Sequence, residues 1–160
     1  MSENRIALCN GFTAYFNEDE NAYLCQVPWL GREITVRLSG CDYDDNEIAD
    51  LKRVFERFWT DRDSLLKKSQ VDIKKKLLPL IKEKKKTEKY CSFPDLSEDD
   101  FDADYWLTLV QIFPGPSGDE VHFFFNQYDD KEHYNEIYIE RELDSKHLTF
   151  GVYIWIFDVE

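Results

Sequence analysis

Hydrophobic and polar positions change period twice along the chain. Between residues 33 and 39, Ile34, Val36 and Leu38 alternate with Glu33, Thr35, Arg37 and Ser39. A two-residue period is that of a strand with one wet face. The preceding "YLCQVPW" reads as its hairpin partner across Leu30-Gly31, and "NEDEN" supplies an earlier turn. From residue 46 the apolar positions Ile48, Leu51, Phe55, Phe58 and Trp59 recur at helical spacing, with Asp44, Asp45 or Asn46 placed to cap. Leu66, Ile73, Leu77, Leu80 and Ile81 form a second helical stripe. Asp61 or Asp63 is placed to cap it, and Pro79 is expected to kink or end it. From residue 105 the two-residue period returns in "YWLTLVQIF", "EVHFFFNQY", "NEIYIEREL" and "LTFGVYIWIFDV". Connections as short as "PGPSGD" and "DSKH" imply an antiparallel meander.

The expected fold is α+β in one domain, residues 1–160. N-terminal strands fill 1–40, a helical pair 46–88 and a four-strand meander 105–159. The helices should pack on one face of the sheet through Leu51, Phe55, Phe58, Leu66, Ile73 and Leu77. In "NEIYIEREL", Ile137, Ile139 and Leu143 share a face opposite Glu136, Glu140 and Glu142. The last strand is apolar on both faces, which predicts a position at the centre of the sheet or under the helices, with Ile154 and Ile156 buried.

Charge sharpens this picture. The chain has 160 residues and a formal charge of −13. Residues 1–50, 51–90 and 91–160 carry net charges of −7, +8 and −14, so the helical segment is a basic island in an acidic chain. An acidic chain is a poor partner for nucleic acid or an anionic membrane. No apolar run reaches the length of a membrane span and none marks a leader, so the expected location is cytoplasmic. The scattered Cys9, Cys25, Cys41 and Cys91 read as reduced thiols. The lysine-rich "KKKLLPLIKEKKK" reads as a solvated helix face.

Motifs for chemistry fail in turn. The aspartates of "DFDADYWLTLVQ" have calcium-loop spacing, but Tyr105 stands where glycine is needed and Gln111 where a bidentate glutamate is needed. "DYDDNE", residues 42–47, fails likewise. His122, His133 and His147 have no partner at metal-ligand spacing, and His122 reads as a strand residue facing solvent or satisfied by a neighbour. There is no GxSxG, P-loop or GxGxxG. No metal, cofactor or catalytic residue is therefore expected, and the chain reads as a non-enzyme.

What remains is the acid itself. "SEDDFDADYW" puts five acids into residues 98–104. It reads as a turn that is either merely solvated or presented to a positive partner. With the loop at 129–132 it yields a candidate binding surface: Asp99, Asp100, Asp102, Asp104, Asp129, Asp130 and Glu132, with Trp106 and Tyr134 as aromatic anchors. Other aromatics in these loops, Phe101 and Tyr105 among them, would add to it. Charge steers encounter and aromatic side chains supply affinity.

The order of elements carries a resemblance. "WLG" then "REITVRL", two charged helices, an apolar strand, an acidic turn and a closing pair of strands resemble small bacterial domains of unknown function found near polymorphic toxin genes and regarded as immunity proteins. The likeness covers residues 27–157. It departs where those domains open the penultimate strand with Gly-His, since this chain has Tyr134-Asn135. The resemblance implies a cytoplasmic protein that binds and blocks one toxin domain, often a nuclease or another cationic enzyme. The alternatives are a cytoplasmic adaptor that uses the basic helices as its contact, and a small enzyme with a carboxylate site.

Overall fold

The computed structural model describes residues 4–87, 97–115, 118–127, 135–143 and 148–154. Among these residues there are eight strands: β1 (Arg5–Ala7), β2 (Thr13–Asn17), β3 (Ala22–Trp29), β4 (Arg32–Leu38), β5 (Tyr105–Gly115), β6 (Gly118–Gln127), β7 (Asn135–Glu142) and β8 (Leu148–Ile154). They lie in one sheet in sequence order. Every neighbouring pair is antiparallel except β4 and β5, which run parallel with Val36 opposite Val110. The helical insertion forces that exception, because a crossover that returns along the sheet delivers the next strand in the same direction. The fold is α+β, as the periodicity predicts. The short β1 falls within the expected N-terminal strands, and one expectation for the sheet changes. Strand β8 lies at the sheet edge and not centrally, because a meander adds each strand outside the last. Its Ile154 sits opposite Asn135; Ile156 lies outside the described residues.

Between β3 and β4 the chain turns on two residues with positive φ, Leu30 at 60° and Gly31 at 74°. Two such residues match the twist of the flanking strands, which is why a two-residue turn suffices. The turn leaves Trp29 buried at the end of β3. Its indole N–H donates to Asp63 at 2.9 Å.

Asp63 therefore caps nothing. It lies within one long helix, α1 (Asp45–Asp72), capped by Asp44, whose carboxylate accepts from the Glu47 N–H at 2.8 Å. The chain then passes through a widened π-turn (Ile73–Leu77) into α2 (Leu78–Thr87). The expected break near residue 62 is absent, and the discontinuity sits just before Pro79. Leu65, Ser69, Ile73 and Leu77 are all buried at steps of four residues. On a regular α-helix each such step rotates the stripe by about 40°. A π-turn holds more residues per turn and absorbs that drift. Here the Leu78 N–H reaches Ile73 O, five residues back. The phase shift buries Leu78 and leaves Leu80 exposed, the reverse of the expected stripe. Leu51, Phe55, Phe58, Leu66, Ile73 and Leu77 are buried as expected. Phe58 lies against Phe123 of β6, which places α1 on one face of the sheet.

The acidic segment 42–47 caps α1. One carboxylate oxygen of Glu47 accepts three backbone N–H groups, from Cys41, Asp42 and Tyr43, at 2.8, 3.0 and 2.7 Å. Successive amides pointing inward form an anion-binding nest. Gly40 gives the carboxylate its seat, since a Cβ there would meet the Glu47 carboxylate oxygen at 2.2 Å. Glu47→Ala is expected to cost about 1–3 kcal/mol by leaving charge-assisted bonds unmade, with Glu47→Gln retaining part of that. Urea unfolding measures it, and equal stability of wild type and Glu47→Ala would dismiss the nest as a contributor.

Candidate functional site

With α1 on one face, the alternating side chains of β4–β7 turn to the other. Strand register arranges them in transverse rows. Arg37 lies opposite Gln111, Gln111 opposite His122, and His122 opposite Glu140. One row to one side runs Thr35, Leu109, Phe124 and Tyr138, and the row to the other side holds Phe113, Glu120 and Glu142. Further along, Trp106, Asn126 and Glu136 form another. An irregularity between Leu107 and Leu109 keeps Leu107 on the helix face while Leu109 joins the open one. A cleft of about 410 Å³ lies over the middle of this surface, around His122.

The rows are held by their own contacts. Arg37 donates to Gln111 at 2.8 Å and pairs with Glu20 at 3.3 Å, which fixes the cationic end. Phe124 and Tyr138 stack with ring centroids 5.1 Å apart. The Tyr138 hydroxyl donates to Glu140 at 3.0 Å. His122 is buried between Phe113, at 4.8 Å, and Tyr138, at 6.1 Å. Burial pushes its imidazole below the ordinary histidine range, while Glu140 and Glu120 act in the opposite sense. The downward shift leaves the ring neutral at pH 7, so one nitrogen is a free base. Its Nε2 lies 3.7 Å from a Glu120 carboxylate oxygen and has no hydrogen-bond partner.

The residues expected to bind divide three ways. Asp99, Asp100, Asp102 and Asp104 lie on a short helix, α3 (Glu98–Asp104), where a turn was expected. Ser97 and Asp100 form a reciprocal capping box: the Asp100 N–H donates to Ser97 Oγ at 3.1 Å and the Ser97 N–H to Asp100 at 3.0 Å. The Ser97 backbone N–H, with its side-chain hydroxyl, holds the Asp100 carboxyl below its usual range. Asp102 pairs with Lys74 of the π-turn at 2.6 Å. Two of the four aspartates therefore serve the fold, while Asp99 and Asp104 are exposed. Phe101 and Tyr105 are no anchors: Phe101 is buried against Tyr105 and Phe125 and pins α3 to the sheet. Trp106 is half-buried on the open face, with the Arg32 guanidinium 4.3 Å from its ring centre. Asp129, Asp130, Glu132 and Tyr134 lie outside the described residues.

Glu120, His122, Glu136, Glu140 and Glu142 were not among the expected site residues. The alternation in "NEIYIEREL" put its glutamates on the wet face, but only the register with β6 shows that His122 stands among them.

No helix among the described residues is long and apolar enough to cross a membrane. Residues 13–146 match the model of a family described as "Uncharacterized protein conserved in bacteria (DUF2262)". No curated protein and no solved structure matches the chain.

Proposed function

We propose that this chain, which belongs to the bacterial DUF2262 family over residues 13–146, is a non-enzymatic binding protein that recognises a cationic protein partner. The observation that carries this reading is the open sheet face, where Glu136, Glu140, Glu142 and Glu120 surround the stacked Phe124–Tyr138 pair. Carboxylates steer a basic partner, and half-buried aromatic rings offer the anchors that slow its release. Trp106 lies on the same face, while exposed Asp99 and Asp104 belong to α3, which packs on the helix side, and form a separate acidic patch. The narrower form is an immunity protein that neutralises a toxin domain; it rests on the sequence resemblance. The adaptor alternative draws less support, because Lys74 and Lys76 of the basic segment are already paired, with Asp102 and Asp72.

The test is surface plasmon resonance at two salt concentrations, with the product of any toxin gene found beside this one as analyte. Two charge-neutralised variants leave the capping and Lys74 contacts alone: Glu136→Gln with Glu142→Gln, and Asp99→Asn with Asp104→Asn. The glutamate pair is expected to slow association about tenfold at low salt and to flatten its salt dependence. Tyr138→Ala is expected to act on dissociation. Unchanged kinetics in both acidic variants, with binding lost when Lys74, Lys75 and Lys76 become Glu, would transfer the interface to the basic segment. Absence of any binding would end the immunity form.

A further inference from the structure

The sequence has no HxxxH or HxH pair and no cysteine at zinc-ligand spacing from a histidine. Strand pairing creates a set that linear spacing conceals. Glu120 and His122 are two residues apart on β6, and so share a face. Glu140 lies directly opposite His122 on β7. One ligand atom from each of the three comes within 4.8 Å of the others. Ligand atoms about 2.1 Å from a tetrahedral ion stand about 3.4 Å apart, so side-chain rotations that draw these atoms roughly an ångström closer would close the set.

We propose that Glu120, His122 and Glu140 bind a divalent first-row transition-metal ion, on the zinc and manganese side of that class. Three observations converge. His122 is 9% exposed, and its Nε2 faces a carboxylate at a non-bonding 3.7 Å with no hydrogen-bond partner. A buried nitrogen left without a partner costs free energy that an ion would recover. Two carboxylates flank it, and the nearby cation of the row, Arg37, is already engaged by Glu20 and Gln111. The hydroxyl of Tyr138 donates to Glu140, the outer contact that orients a ligating carboxylate. One nitrogen and two carboxylate oxygens suit zinc, manganese or cobalt, whereas calcium and magnesium take oxygen alone. Three protein ligands leave further coordination positions toward the cleft, where a partner's side chain can enter. The site shares Glu120 and Glu140 with the face of the partner reading, but the charge variants that test that reading leave all three ligands intact, so the two fail separately.

The experiment uses the chelator-stripped full chain and the metal ions alone. Isothermal titration with Zn²⁺ and Mn²⁺ is expected to give one site per chain. Free metal at about a hundred times Kd should raise Tm by about 5–10 °C. Co²⁺ should develop visible absorption from the bound ion, and Ca²⁺ and Mg²⁺ should produce no saturable change. Glu120→Gln and Glu140→Gln are conservative at half-buried positions and should each weaken binding at least about tenfold. His122→Asn should abolish the cobalt spectrum, with circular dichroism reporting that each variant is folded. No saturable transition-metal binding would overturn the proposal. So would full retention of one-site binding in the Glu120→Gln, Glu140→Gln double variant, which would place the ion on other residues.

Discussion

Phe58→Ala is expected to destabilise the protein by about 3–5 kcal/mol, the range for emptying a large aromatic site in a packed core. Phe58 is fully buried and touches three elements at once. Its ring meets Trp29 of β3 edge-on at 5.9 Å, Phe55 one turn earlier at 6.1 Å, and Phe123 of β6 at 6.3 Å. Removing it opens a cavity where the first hairpin, the long helix and the second half of the sheet meet, and no single element can collapse into the space. A domain of this size holds about 5–15 kcal/mol in total, so the variant should lose much of its margin. Urea unfolding followed by circular dichroism reads the effect, with the slope against denaturant unchanged. Phe58→Leu should retain more than half of the lost stability, because it keeps most of the volume. A loss below about 1 kcal/mol for the alanine variant would mean that the helix does not seat on the sheet through this residue.

The packing around Phe58 was legible in the sequence because both periods were strong. Ile34, Val36 and Leu38 on one side, and Leu51, Phe55 and Phe58 on the other, are the buried positions the alternation and the helical stripe selected. Legibility failed where geometry departs from a fixed period. Leu65, Ser69, Ile73 and Leu77 run at steps of four, and a π-turn that no propensity scale marks keeps them in line. The acid-rich 98–104 reads as a turn in sequence because its charge masks Phe101, the one large apolar residue of a two-turn helix capped by Ser97. The candidate site was the least legible part. Glu120, His122 and Glu140 are separated by up to twenty residues and meet only through the register of β6 with β7. A sequence displays which residues share a strand face. It does not display which residue of the next strand lies opposite.

Arg141 extends that point to the helix side of the sheet, where the alternation of β7 would place an apolar residue after Ile137 and Ile139. Arg141 is buried, and its guanidinium donates to Asp72 at 2.7 Å and to Ser69 Oγ at 3.4 Å. Ser69 in turn donates to the Leu65 carbonyl one turn earlier. This polar cluster ties β7 to the last turn of α1, immediately before the π-turn. Asp72→Ala is expected to cost about 3 kcal/mol, because it leaves a buried guanidinium without its anion. Arg141→Met is expected to cost less. It keeps the aliphatic length, and Asp72 still has Lys76 at 3.5 Å and a partly exposed carboxylate. The double variant should be more stable than Asp72→Ala alone, with a coupling of about 1–3 kcal/mol between the two positions. Hydrogen exchange should show the loss of protection concentrated in amides 70–78 before global unfolding, since the π-turn relies on this tie and on Ile73 and Leu77 to hold its register. Additive single-variant costs, with protection unchanged across that segment, would mean that the apolar contacts alone seat the end of the helix.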